Sequence, residues 1–198
     1  MLRGLPFIYQ GQEIGMENMH FQSIDQVDDI STIDEYHVAK NAGLNEKEAL
    51  SCISRYSRDN ARTPVQWNDS ANAGFTSGNP WLPLNPNYKE INVASQENDP
   101  DSLLSFYKEL IALRKNPEYK ETIVYGELIP YLEEQHNLMS YYRKGDKTLL
   151  VLGNSQKEPQ TVKLPSACRK VLLNNYPQLN ISDDSVILDN YQAVVIEL

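Results

Sequence analysis

Cysteine is scarce in this sequence, and nothing around it has the pattern of a metal site. Cys52 and Cys168 are the only two in 198 residues, and neither has a Cys or His at ligand spacing. That excludes a structural zinc site and leaves two buried, reduced thiols as the expectation. His20, His37 and His136 stand isolated, and a lone His is assigned neither ligand nor base chemistry. Long apolar stretches are missing as well. Runs such as Leu149-Leu150-Val151-Leu152 fall far short of the roughly 18 residues a membrane span needs. The opening residues lack the basic start, apolar stretch and small-residue cleavage site of a secretory leader, so a cytoplasmic setting is expected. Positive charge is in deficit: 18 basic against 27 acidic side chains give a net charge of −9, which argues against a nucleic-acid partner. No nucleophile elbow, phosphate-cradling glycine loop or metalloprotease helix is present. An acidic run, Asp25, Asp28, Asp29, Asp34 and Glu35, lacks the spacing of a calcium loop and reads as a solvated helix face. Neither metal nor cofactor is expected.

What is present is an ordinary globular composition, 40% hydrophobic and 23% charged, in two dissimilar halves. Leu5 to Tyr9 is apolar throughout and reads as a strand buried on both faces, of the kind found inside a parallel sheet or barrel. Ser23 with Gln26 has the form of a capping box, and Ile24, Val27, Ile30, Ile33 and His37 recur at helical spacing, predicting a helix from about Ser23 to Lys40. Asn45 caps a second helix over 46–56. From Ser57 to Ser95 periodicity stops in a stretch dense in Pro, Asn and Gly with interleaved aromatics, a long ordered loop. Asp99-Pro100 opens a strongly striped helix through Leu103, Phe106, Tyr107, Leu110, Ile111 and Leu113, ending near Lys115 before Pro117. Beyond it come short alternating runs at 122–125, 138–143, 147–152, 160–164, 169–173 and 193–198, read as an antiparallel β-sandwich. Two units follow, residues 1–117 and 118–198.

Two groups in the loop could touch a ligand. Gln66, Trp67, Phe75, Trp81 and Tyr88 could stack on and hydrogen-bond a sugar, or form the loop's own small core, and packing is the favoured reading. Arg58, at the loop entrance, could offer a planar fork of donors to sugar hydroxyls or carboxylates, or pair with Asp59. Spacing does not decide between these.

Three segments carry a family resemblance: Gly-Leu-Pro-Phe-Ile-Tyr-Gln-Gly-Gln-Glu-Ile-Gly-Met over 4–16, Ser-Arg-Asp-Asn-Ala-Arg-Thr-Pro-Val-Gln-Trp over 57–67 and Asn-Ala-Gly-Phe-Thr over 72–76. With Pro-Trp-Leu-Pro-Leu-Asn-Pro-Asn-Tyr over 80–88, they resemble glycoside hydrolase family 13, in its oligo-1,6-glucosidase and dextran-glucosidase branch. The resemblance implies the last strand, inserted helices and loop, and last helix of a (β/α)8 TIM-type barrel, followed by a β-sandwich C-terminal domain. A whole barrel takes about 250 residues, so the chain is expected to be the C-terminal portion of an α-glucosidase, with Met1 an internal methionine or an artificial start.

The parent would hydrolyse α-glucosidic bonds, by this resemblance α-1,6 bonds in isomalto-oligosaccharides, by a retaining mechanism. Its catalytic carboxylates lie on strands before residue 4, so none is assigned here and the chain is expected to be inactive by itself. Arg58 matches the arginine that binds the terminal glucose of the α-glucoside oligosaccharide; its usual carboxylate partner lies upstream. Relatives commonly carry Asp-Ile-Glu-Thr where this chain has Asp29-Ile30-Ser31-Thr32, which places Ser31 on the aglycone side in place of a Glu. Val65 replaces a frequent Met. The alternative reading is a noncatalytic sugar-binding or scaffold module. The orphan barrel strand also invites homo-association.

Overall fold

The computed structural model describes residues 1–198, which pack as two compact units: Ile8–Leu104, and Met1–Phe7 together with Ser105–Leu198. The division at 117/118 follows composition, whereas these units follow packing.

In the first unit, α1 (Ile30–Asn41) and α2 (Glu46–Tyr56) form a hairpin joined through Gly43, which sits at a φ of 97°. The α2 start is the expected one. The Asn45 side chain accepts from the Glu48 N–H while the Glu48 carboxylate accepts from the Asn45 N–H, which satisfies two orphan donors of the first turn. Met19, Phe21, Val27, Tyr36, Ala49, Leu50 and Ile53 form its core. The helix expected from Ser23 is broken: Ile24–Gln26 is one 3-10 turn, and the α-helix begins only at Ile30. Ser23 caps merely its own turn, through the Asp25 N–H. The chain is then turned at 28–29, where both N–H groups point into the Asp59 carboxylate. The long loop is ordered by amides. Gln66, fully buried, donates to Asn87 Oδ1 and to the Ile91 carbonyl, and Asn85 donates to the carbonyls of Glu17 and Asn18. A short helix, α3 (Val93–Gln96), follows.

The second unit is layered. A five-stranded antiparallel sheet has the order β1-β2-β3-β8-β5 and a three-stranded sheet the order β4-β7-β6. The strands are β1 (Glu127–Pro130), β2 (Leu138–Lys144), β3 (Thr148–Asn154), β4 (Gln160–Lys163), β5 (Lys170–Asn174), β6 (Asn180–Ile181), β7 (Ser185–Leu188) and β8 (Ala193–Glu197). Both sheets are open. Because side chains alternate along a strand, β3 serves two cores. Leu150 and Leu152 pack with Val162, Leu164, Val186, Leu188, Val194 and Ile196 between the sheets. Leu149 and Val151 pack on the opposite face with Tyr141, Leu173 and Val195, under Leu113 of α4 (Leu103–Lys115) and Ile123 of α5 (Lys120–Tyr125). Each such side chain contributes roughly 1.5–3 kcal/mol of burial.

Four expectations need correction here. Residues 5–9 form no strand, and Leu5 and Phe7 are 76% and 87% exposed, because a strand exists only where a neighbour pairs with it. Residues 122–125 are helical: Tyr119 and Ile123, four apart, bury together against the sheet, and a short β-branched run is ambiguous until such packing decides. Cys52 is exposed and Cys168 only partly buried, where two buried thiols were expected, although both are free. The last long helix begins at Leu103, after a turn rather than at Pro100, and β1, β6 and β7 were not read from the sequence.

Gly126 closes α5 where two carbonyl oxygens crowd it: an added Cβ would sit 2.3 Å from that of Thr122 and 2.7 Å from that of Lys144. The neighbouring Gly126 carbonyl accepts from the buried Arg143 Nη2 at 2.7 Å. Gly126→Ala is therefore expected to lower the urea midpoint by an overpacking cost of about 1–3 kcal/mol.

Candidate functional site

Arg58 and Ser31, singled out from the sequence, meet in the structure. Ser57 caps the 3-10 turn Arg58–Ala61 by accepting from the Asp59 N–H, and this turn directs Arg58 toward the start of α1. Arg58 Nε and Nη2 donate to Asp29 Oδ1 at 3.0 and 2.5 Å, and Nη2 also donates to Ser31 Oγ at 3.0 Å. The other Asp29 oxygen accepts from Thr32 Oγ1 at 2.6 Å, and that hydroxyl lies 3.1 Å from Ser57 Oγ. Asp29 is thus almost wholly enclosed, while the Arg58 side chain remains 62% exposed with Nη1 unengaged. The hydrogen bonds from Arg58 hold the Asp29 carboxyl well below the usual carboxylate range, with Thr32 acting in the same sense and burial opposing both. The same pairing raises the Arg58 guanidinium above its ordinary value.

Asp59, fully buried, is the support beneath this pair. Its Oδ2 accepts from the Asp28 and Asp29 N–H groups at 2.8 and 2.9 Å, and its Oδ1 from Arg62 Nη1 at 3.1 Å. The sequence reading left Arg58 free to pair with Asp59; that role falls to Arg62. Arg58 has a carboxylate partner inside the chain, Asp29, besides the upstream one the resemblance implied. Nor is Asp29 part of a solvated acidic face. The sequence reading put Asp29 inside a helix; in the structure it stands one residue ahead of α1, where its side chain makes no capping bond and turns to Arg58 instead.

The aromatic group behaves differently from its favoured reading. Gln66 is buried and Tyr88 half-buried, but Trp67, Phe75 and Trp81 are 51%, 48% and 68% exposed. The loop's interior is made instead by Val65, Ala73, Leu82, Asn85 and Gln66. No group of three or more His, Cys, Asp or Glu side chains is disposed to hold a metal ion, and no helix is long and apolar enough to cross a membrane.

An exposed guanidinium braced by a buried carboxylate is a fixed set of outward N–H donors suited to the hydroxyls of a polar ligand. The chain belongs to the α-amylase family, glycoside hydrolase family 13: the family's catalytic-domain model matches residues 1–126, and the model of the α-amylase SusG C-terminal domain matches 138–195. It is 41% identical to an oligo-1,6-glucosidase of Bacillus cereus over 204 residues, and 37% identical to a glucan 1,6-alpha-glucosidase of Streptococcus pneumoniae over 199. The crystal structure of Bacillus licheniformis trehalose-6-phosphate hydrolase superimposes with a TM-score of 0.90 at 40% identity, over 98% of this chain and 36% of that one. The two glucosidase alignments take in all of this chain and likewise 36% of each relative, so the chain spans little more than a third of their length.

Two outcomes are expected of this network. Asp59→Ala leaves two buried backbone donors without acceptors and should cost about 2–4 kcal/mol in urea unfolding. Asp29 is more acidic folded than unfolded, so its contribution is fully present above the ordinary carboxylate pKa near 4 and disappears as pH falls through the lowered folded value. Unfolding midpoints measured from pH 7 down to pH 2 should show a shallower acid loss for Asp29→Asn than for the native chain.

Proposed function

We propose that this chain is the C-terminal part of an α-glucosidase acting by a retaining mechanism on α-1,6 bonds of isomalto-oligosaccharides, with residues 1–117 the end of the catalytic barrel and 118–198 its C-terminal domain. Arg58 carries the reading. It is fixed at Nε and Nη2 by Asp29 and offers Nη1 outward, the disposition of a side chain that receives the hydroxyls of a terminal glucose. Ser31, within hydrogen-bond reach of the same guanidinium, sits on the aglycone side, where its hydroxyl replaces the carboxylate common in relatives. Pairs of carboxyl groups about 5–5.5 Å apart perform retaining hydrolysis, and in this reading they are supplied by strands outside these residues, so the chain has no turnover of its own. Two free thiols fit a cytoplasmic, reducing setting.

The test is a chimera in which these residues replace the matched region of the Bacillus cereus oligo-1,6-glucosidase. Isomaltose hydrolysis is expected from the chimera and none from the isolated chain. In the chimera, Arg58→Lys should lower kcat/KM about 10- to 100-fold, the equivalent of one charged hydrogen bond. Glucose release by the purified chain, or an Arg58→Lys chimera of unchanged kcat/KM, sinks the proposal.

A second reading draws on the exposure of Trp67, Phe75 and Trp81: a noncatalytic sugar-binding module. It expects isomaltose to bind the isolated chain at millimolar or tighter Kd in calorimetry, with binding lost in Trp81→Ala. A flat titration of the native chain removes it.

A further inference from the structure

One end of the β-rich unit is held together by buried amides. Gln192, 1% exposed, donates from Nε2 to Asn174 Oδ1 at 2.8 Å and to the Gln178 carbonyl at 3.0 Å, and its Oε1 accepts from the Asp189 N–H at 2.8 Å. Asn154, also buried, donates to the carbonyls of Glu158 and Asp189, both at 2.9 Å. The loops after β3 and β5 and the turn between β7 and β8 are thereby locked to one another. In that turn, closed by the Gln192 N–H on the Asp189 carbonyl, stands Tyr191 at a φ of 54°. Its N–H donates to the Gln156 carbonyl and its carbonyl accepts from Asn175 Nδ2, so the backbone is fixed on both sides in a conformation that usually falls to glycine. The other non-glycine residues at positive φ have side chains engaged with the rest of the fold. Asn72 donates to the Thr76 and Gly78 carbonyls, Ala73 is buried, and Leu132 packs against the core between the sheets. The Tyr191 ring is 52% exposed and belongs to no core, and its hydroxyl has no partner.

Tyr176 lies beside this residue, half-buried, and its hydroxyl donates at 2.6 Å to the carbonyl of Asn190, the peptide that leads into Tyr191. The Asn190 side chain is exposed, and its amide nitrogen makes no bond. We propose that Tyr191 and Asn190 form a binding site for a neutral oligosaccharide. A rigid, amphipathic ring offers contact area at small entropic cost. The C–H face of a hexose is an apolar surface of matching size, rimmed by hydroxyls that an amide nitrogen and a phenol can bond. Other ligand classes fit less well. An anion meets no cation among these tyrosine and amide side chains, and a purely apolar partner would strip water from the Asn190 amide and the Tyr191 hydroxyl without replacing it. Backbone strain over-determined by surrounding bonds recurs at ligand clamps, because a preorganised group loses less freedom on binding. The site requires neither Arg58 nor turnover, and it lies within the residues matched by the C-terminal-domain model, 138–195.

The test is an NMR titration of the isotope-labelled full chain with isomaltotetraose. The amide signals of Asn190, Tyr191 and Gln192 should shift and saturate at millimolar ligand, and Tyr191→Phe, which keeps the ring, should retain most of the affinity. Tyr191→Gly should weaken binding about tenfold, the loss of one stacking contact. Its thermal midpoint should stay near the native one, because glycine takes this φ freely and that relief offsets the greater freedom of its unfolded chain. Tyr191→Asn, a residue also tolerant of positive φ, gives the same two readings if the glycine variant does not fold. Trp81→Ala should leave the shifts at 190–192 intact, which separates this site from the exposed aromatics of the long loop. The proposal is overturned by a titration without saturable shifts at 190–192, by shifts there that vanish in Trp81→Ala, or by native affinity in the Gly and Asn variants. A melt lowered in both variants also overturns it, since the ring is then a packing element.

Discussion

A carboxylate with no exposed surface fixes how the helical unit turns into α1. Asp59 gathers two consecutive backbone N–H groups, those of Asp28 and Asp29, and a guanidinium, that of Arg62. An isolated buried charge would be costly, and three donors converging on two oxygens are what make its burial tolerable. Everything at the candidate site descends from this. The captured N–H groups stop the chain from continuing as helix between Gln26 and Ile30, the resulting turn delivers the Asp29 carboxylate to Arg58, and α1 begins where Ser31 can meet the same guanidinium. Arg58 is thereby braced from beneath and left open above.

The β-rich unit depends on a different economy of residues. β3 is hydrogen-bonded to β2 on one side and β8 on the other, and its alternating Leu149, Leu150, Val151 and Leu152 feed both cores. The unit's buried carboxylate, Glu197, is paired. Glu197 accepts from Lys147 Nζ and Tyr119 Oη, at 3.1 and 3.0 Å. Burial, with the bond to Glu197, pushes the Tyr119 phenol up to about 12, while Lys147 chiefly holds the Glu197 carboxyl below its usual range. This cluster ties the last strand to the residues that lead into α5.

Family membership came from short motifs whose residues do unlike jobs in the folded chain. The segment over 57–67 supplies a cap (Ser57), an outward fork (Arg58), a buried anchor (Asp59), that anchor's counter-ion (Arg62) and a buried amide (Gln66). In the Asn-Ala-Gly-Phe segment, Asn72 and Ala73 both lie at a φ of 53° and Gly74 at 68°, a left-handed run that places the Ala73 carbonyl to accept from the N–H groups of Trp67 and Asn68. A motif of this density reports a local geometry as much as a chemistry, which explains why it stays recognisable in a chain spanning so little of its relatives.

Elements whose stability is local were legible from residues: α2, with its reciprocal Asn45 and Glu48 cap, and the alternating strands β2, β3, β4, β5 and β8. The pairing of Arg58 with Asp29, the break before α1, the helical state of 120–125 and the unpaired state of 5–9 were not. Each of these is decided by a partner far away in the chain, or by the lack of one. Asp59 lies thirty residues from the N–H groups it captures, Ile123 is helical because a sheet lies beneath it, and an apolar run becomes a strand only when another backbone offers its donors and acceptors. Sequence determined which residues could make such contacts; tertiary structure alone decided which were made, because hydrogen bonds and burial depend on what the fold brings within reach.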